Sequence, residues 1–216
     1  MARPPLRNDL IEEITTRVLD GRLAAGARVN EVHLARELSV SRTPLREALI
    51  GLAGRGLLTA EPGRGFLVPP FDPDEARRLY TLLAELEALA LRWTSPLELA
   101  GLPDAVDAVA DEMVAALERG ADLSEVDDRW HALLLSRCPN PHLLRLIEQT
   151  KPLLKRYEWC YFGGVPRAGE SIGEHRRIAA ALREGDLSAA SAMLVRNWVS
   201  TVAFLRKDNG DQCASE

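Results

Sequence analysis

The segment Val68-Pro69-Pro70-Phe71-Asp72-Pro73 carries three prolines in six residues. Each proline removes an amide donor and biases the residue before it away from the helical region, so neither a long helix nor a central strand runs through it. The 216 residues are therefore read as two pieces. Asp72-Pro73-Asp74-Glu75 has the form of a capping box with proline at the first helical position, so a helix starts at once on the far side. This places the linker at about 69–72, an N-terminal domain at 1–70, a C-terminal domain at 73–207 and a tail at 208–216. No internal repeat or low-complexity tract interrupts the plan.

Within the first piece, Leu6, Leu10, Ile14 and Val18 recur every four residues, the stripe of an amphipathic helix that Gly21 can end. Glu31–Leu38, with Val32, Leu34, Ala35 and Leu38 apolar, reads as a second short helix, and Ser39-Val40-Ser41-Arg42 as a turn. Thr43-Pro44 then supplies an N-cap and a proline at the first helical position, with Leu45, Leu49, Leu52 and Ala53 as the buried stripe of a third helix. Leu57–Ala60 and Phe66–Val68 read as short strands around the Gly-rich turn Glu61-Pro62-Gly63-Arg64-Gly65. Helix, helix, turn, helix, hairpin is the order of a winged helix-turn-helix.

Beyond the linker the pattern is helical almost throughout. Tyr80, Leu83, Leu86, Glu87 and Ala90 mark a first helix at about 73–93, and Ser95-Pro96-Leu97-Glu98 caps a short second piece. Further helices are expected at about 103–119 (stopped by Gly120), at 123–137, and from Pro141 onward, where Pro152 introduces a kink. Gly163-Gly164-Val165-Pro166 reads as a loop; helices at 169–184 and after Asp186 complete the set. Short connections make sequential helices antiparallel neighbours, so the expected fold is mainly α: a winged helix-turn-helix followed by an antiparallel all-helical bundle.

Composition narrows the function. The net charge of −5 divides unevenly: residues 1–71 hold ten Arg, no Lys and eight acids, a net of +2, against −7 for residues 72–216. Only the front piece is suited to a polyanion. There is no apolar run of the length a membrane helix needs, and MARPPLRNDL lacks a signal peptide's apolar stretch, so the expected location is the cytoplasm with no membrane partner. Cys138, Cys160 and Cys213 are odd in number and lack CxxC spacing, which argues against a disulfide framework or a structural zinc knuckle.

Arg42 and Thr43 fall at the start of the third helix, where side chains reach base edges in a major groove, and Arg46 lies one turn further on the same face. The planar fork of arginine matches the O6 and N7 acceptors of guanine. Free amides near Thr43 suit a phosphate. Gly63 lets the hairpin tip approach a minor groove closely, and Arg64 supplies charge there; Arg36, on the second helix, completes the candidate DNA-contacting set.

A second constellation lies in the bundle. Asp127 and His131, four apart, share a helix face at about 6 Å, and Asp128, three from His131, competes for the same role. His175 and Asn197 lie on two later helices that a bundle can bring alongside. One carboxylate, two imidazoles and an amide oxygen suit a divalent ion such as Zn²⁺, Ni²⁺ or Mn²⁺; a plain surface Asp–His pair is the alternative. His33 and His142 carry no assignment, and Trp130, Trp159 and Trp198 read as core.

Residues 6–68 resemble the GntR family of bacterial transcription regulators. Its core Leu-Ala-x-x-Leu-x-Val-Ser-Arg-Thr-Pro-x-Arg-Glu-Ala-Leu is found nearly letter for letter from Leu34 to Leu49. The all-helical second domain is similar to the FCD domain of the family's FadR-like branch. The resemblance implies a homodimer on an inverted-repeat operator in double-stranded DNA, repression as the common mode, and modulation by a small carboxylate metabolite rather than catalysis. It also implies a metal held by Asp127, His131 and His175, with Asn197 where histidine is usual. A second departure is Leu83, four residues before Glu87, where such domains often carry an arginine for the effector carboxylate. Arg145, Arg156 and Arg196 are then the candidate replacements. A metal-free bundle serving only dimerisation, and a metal-dependent enzyme with a DNA-binding appendage, are the competing readings; no Ser/Cys–His pairing supports the latter.

Overall fold

The computed structural model describes residues 7–162 and 168–205. Their elements divide between two compact units, Met1–Asp72 with Lys155–Trp159, and Pro73–Leu154 with Cys160–Glu216. The expected loop at Gly163–Pro166, residues 206–207 and the 208–216 tail lie outside the described residues.

In the first unit, α1 (Arg7–Leu19) buries Leu10, Ile14 and Val18 as the four-residue spacing predicts; Leu6 lies outside the described residues. Helix α2 (Glu31–Glu37) begins at Asn30, whose side chain accepts the His33 amide at 3.1 Å. After a turn in which Ser39 takes a left-handed φ of 53°, α3 spans Arg42–Gly54. Its N-cap is Ser41, not Thr43, so Thr43 and Pro44 sit inside the first turn. Proline is tolerated there because first-turn amides have no partner within the helix. The buried stripe of α3 is Leu45, Ala48, Leu49 and Leu52, with Ala53 half-buried.

Strands β1 (Thr59–Glu61) and β2 (Gly65–Leu67) pair antiparallel in the register Thr59↔Leu67, Ala60↔Phe66, Glu61↔Gly65. The ladder therefore takes in Glu61 and Gly65, both expected in the turn, and leaves Leu57 and Leu58 before it as buried anchors. Between the strands the Arg64 amide donates to the Glu61 carbonyl at 3.0 Å, with Pro62 second and Gly63 third at φ 72°. Positive φ at the third position after a proline makes a type II turn, which glycine enters without strain. The segment before α2 adds a third edge: Val68 donates to Ala27, and Gly26 and Val29 donate to Val68 and Phe66, all at 2.9 Å.

The second unit contains α4 (Pro73–Trp93), α5 (Leu102–Glu118), α6 (Ser124–Leu135), α8 (Ala168–Arg183), α9 (Leu187–Leu205) and α7 (Pro141–Phe162) apart from its residues Lys155–Trp159. The expected helix at Ser95–Glu98 is instead a turn: Ser95 Oγ accepts the Glu98 amide at 3.3 Å, but Gly101 at φ 73° reverses the chain before a second turn can form. Helix α7 continues through Pro152 as one element. Helix α4 packs along α9, α8 lies against α5 and α9, and α6 against α5. Tyr80, Leu83, Leu91, Val106, Met113, Trp130, Leu134 and Ile178 fill the space between them.

Candidate DNA-reading head and metal cluster

In the reading head, Arg36, Arg42, Thr43, Arg46, Gly63 and Arg64 are all exposed. Leu45, Ala48, Leu49 and Leu52 hold the opposite face of α3 fully inside, so helical geometry turns Arg42 and Arg46 outward. Arg46 is already ordered. Its Nη1 lies 3.1 Å from both oxygens of Glu31, and its guanidinium stands 5.8 Å over the Phe66 ring. Arg46 is thus braced from α2 and from β2, a feature that spacing along α3 alone does not reveal.

In the bundle, α6, α8, α9 and α4 converge on one polar cluster inside the apolar core. Asp127 and His131, one turn apart on α6, meet His175 from α8. His131 Nε2 lies 3.7 Å from Asp127 Oδ2, and His175 Nε2 lies 3.7 Å from Asp127 Oδ1. One donor atom from each residue can be chosen so that all lie within 4.8 Å of one another. Donors around an ion with bonds of about 2.1 Å sit roughly 3.0–3.4 Å apart, so a small contraction would close this set. The residues present fit a metal.

The surrounding groups orient these candidate ligands. Glu87, from α4 and fully buried, accepts from Trp198 Nε1 at 2.7 Å and stands 2.7 Å from His131 Nδ1 through the same Oε2. With Nδ1 committed to a carboxylate, His131 presents Nε2 to the cluster, the arrangement that fixes the tautomer and ring of a ligating histidine. Lys151 of α7 brings its Nζ to 3.9 Å from Glu87 Oε1 and 4.0 Å from Asp128 Oδ1. His175 is held by packing: its ring stacks on Trp130 at 3.7 Å and meets His131 edge-on at 5.2 Å. Neither nitrogen of this buried ring makes a well-formed hydrogen bond.

Burial alone would raise the Glu87 carboxyl, but His131, Lys151 and the Trp198 N–H reverse the effect and hold it below the ordinary range. Burial would lower His131, yet Glu87 and Asp127 leave it raised. Desolvation raises Asp127, and the charges of Asp128 and Glu87 add to this against His131. Burial and then the charge on His131 push His175 well below 6.5, with Asn197 opposing in part. The neutral His175 ring is in the protonation state that ligation requires, whereas His131 and Asp127, both raised, would release protons on binding an ion.

Asn197 is buried beside them on α9, its amide nitrogen donating to Glu174 at 2.8 Å and more loosely to Ser171 at 3.4 Å. Arg145 and Arg196 are exposed, and Arg156 is buried with Nη2 donating to the Tyr157 hydroxyl at 3.0 Å. Leu83 is fully buried. Among the described residues a cation that reaches the cluster is Lys151, which the sequence reading did not single out; a lone lysine on α7 carries no spacing signal. Trp130 and Trp198 are buried as expected, whereas the Trp159 side chain lies outside the described residues.

A three-helix head with a wing, joined to an all-helical domain, defines a winged-helix transcription regulator. The chain belongs to the GntR family of bacterial regulatory proteins, with an FCD domain: residues 6–68 match the former and residues 78–198 the latter. It is similar to an HTH-type transcriptional regulator from an unstable DNA locus of Streptomyces ambofaciens, 30% identical over 85% of this chain and 78% of that one. The HTH-type transcriptional repressor RspR of Escherichia coli is 26% identical, over 90% and 87%. Among solved structures, Escherichia coli McbR/YncC superposes with a TM-score of 0.67 at 26% identity, covering 95% of this chain and 98% of that one. A GntR regulator from a Rhodococcus species shares the fold, with a TM-score of 0.73 at 22% identity over 92% and 96%. The family and these relatives are transcription regulators, not enzymes. No helix among the described residues is long and apolar enough to cross a membrane.

Proposed function

We propose that the chain is a cytoplasmic homodimeric repressor whose affinity for a pseudo-palindromic operator is set by a small carboxylate metabolite bound at a divalent metal. Asp127, His131 and His175 would hold the ion (Zn²⁺, Ni²⁺ or Mn²⁺), and Asn197 would serve as a weaker fourth ligand. When bound, the ion supplies a positive centre with coordination positions open to an oxygen ligand. Lys151, 3.9 Å from Glu87 Oε1, would supply a second cation for the effector's carboxylate, in place of the arginine missing at Leu83. One observation carries the reading: the buried His175 ring has no hydrogen-bond partner of good geometry and faces Asp127. Leaving such a group unpaired costs about 1–3 kcal/mol, which ligation would offset.

Arg36, Arg42, Thr43, Arg46, Gly63 and Arg64 would contact DNA, with Arg42 and Arg46 reading bases and Arg64 a phosphate. Elemental analysis of the purified protein tests the metal. About one divalent ion per chain, lost in His175→Ala, supports the proposal; a chain that neither carries nor takes up a divalent ion refutes it. If that metal-free chain still binds operator fragments selected from a random library, the bundle serves dimerisation alone.

A further inference from the structure

Arg28 precedes α2, far from the wing in sequence, yet its side chain closes on both ends of the wing turn. Nη1 donates to the Arg64 carbonyl at 3.1 Å, and Nη2 pairs with Glu61 Oε2 at 2.5 Å. Glu61 and Arg64 are the first and fourth residues of the type II turn, so one guanidinium clips its two ends. The backbone holds the clip in place: Arg28 bridges Leu67 of β2, and its neighbours Ala27 and Val29 pair with Val68 and Phe66. The wing strands are three residues each, too few to define where the tip points without such a third edge.

We infer that Arg28 is a positioning residue for DNA binding, acting through the wing tip. It fixes the turn so that Arg64 meets the DNA backbone already ordered, and it need not touch DNA itself. The pair is only partly exposed, Arg28 at 48% and Glu61 at 29%, and a surface pair of this kind contributes little to global stability, so the effect falls on binding more than on the fold. The bidentate reach depends on the planar fork, which lysine lacks. The inference rests on the reading of Arg64 as a phosphate contact.

The test is a double-mutant cycle on the full chain: wild type, Arg28→Ala, Arg28→Lys, Arg64→Ala and the Arg28→Ala/Arg64→Ala pair. Binding to a 30-base-pair duplex of random sequence is followed by fluorescence anisotropy across a salt series, with thermal melts alongside. Arg64→Ala should weaken binding and lower the slope of log affinity against log salt by about 0.9. Arg28→Ala should weaken binding by roughly two- to fivefold with little change in melting temperature, the range open to a surface pair. Arg28→Lys should follow Arg28→Ala, and adding Arg28→Ala to Arg64→Ala should cost nothing more. Full additivity, or an Arg28→Lys protein that binds like wild type, makes Arg28 a DNA contact of its own and overturns the inference. So does an Arg28→Ala protein that binds normally while Arg64→Ala does not. If Arg64→Ala itself binds normally, it is the reading of the wing tip that fails.

Discussion

Replacing Glu87 by glutamine separates its charge from its shape. The amide oxygen of Gln can occupy the place of Oε2 and accept from both His131 Nδ1 and Trp198 Nε1, each now at 2.7 Å. The amide nitrogen then takes the place of Oε1, 3.9 Å from the Lys151 ammonium, where it has nothing to donate to. The His131 ring should keep its position and lose the negative charge that makes it a strong donor to a metal. Removing an orienting carboxylate of this kind typically costs 10–100-fold in metal affinity, about 1.4–2.7 kcal/mol. Competition against a fluorescent chelator, for wild type and Glu87→Gln, measures the difference directly. The companion Glu87→Ala leaves His131, Trp198 and Lys151 facing an emptied buried site and should destabilise the metal-free protein by about 3–5 kcal/mol in urea melts. Equal metal affinities for Glu87→Gln and wild type would refute the argument that Glu87 tunes the ligand.

Arg42→Ala should cost about 1–3 kcal/mol on a selected operator and relax sequence preference, while Arg64→Ala weakens operator and random DNA more evenly; equal losses on both for Arg42→Ala would exclude base reading. Sedimentation should give a dimer at micromolar concentration, and a monomer that binds one half-site tightly would remove the two-headed operator. Asn197→His should tighten metal binding, because imidazole is the better donor, and unchanged affinity in chelator competition would take position 197 out of the ligand set.

The elements legible in the sequence were those with a local cause. The four-residue stripe of α1, the capping box before α4, the Pro-Gly turn of the wing and the Asp186 cap of α9 depend on neighbours a few residues away. The misplaced start of α3 also has a local cause: Thr43-Pro44 has the form of a cap followed by proline, but the helix already begins after Ser41, two residues earlier, which caps it without a side-chain hydrogen bond. What stayed hidden depends on distant partners. Arg28 finds the wing across 36 residues, Glu87 meets His131 across 44, and Trp198 reaches Glu87 across 111. The cluster residues Asp127, His131 and His175 could be named because two of them share a helix face, but the groups that orient them leave no periodic trace.

The stacking of Trp130 on His175, with Trp198 hydrogen-bonded to Glu87, gives the cluster its own optical reporter. Two of the chain's four tryptophans have indole rings against the groups whose charge would change when an ion or anion arrives. Trp130 lies 3.7 Å face to face on one imidazole, and the Trp198 ring lies 4.6 Å from the other. Indole emission responds to a neighbouring imidazole's charge and to a nearby paramagnetic ion. A titration watched by ultraviolet fluorescence, without label or DNA, would therefore follow any occupancy of the buried cluster, and ligand libraries could be screened on the unmodified chain.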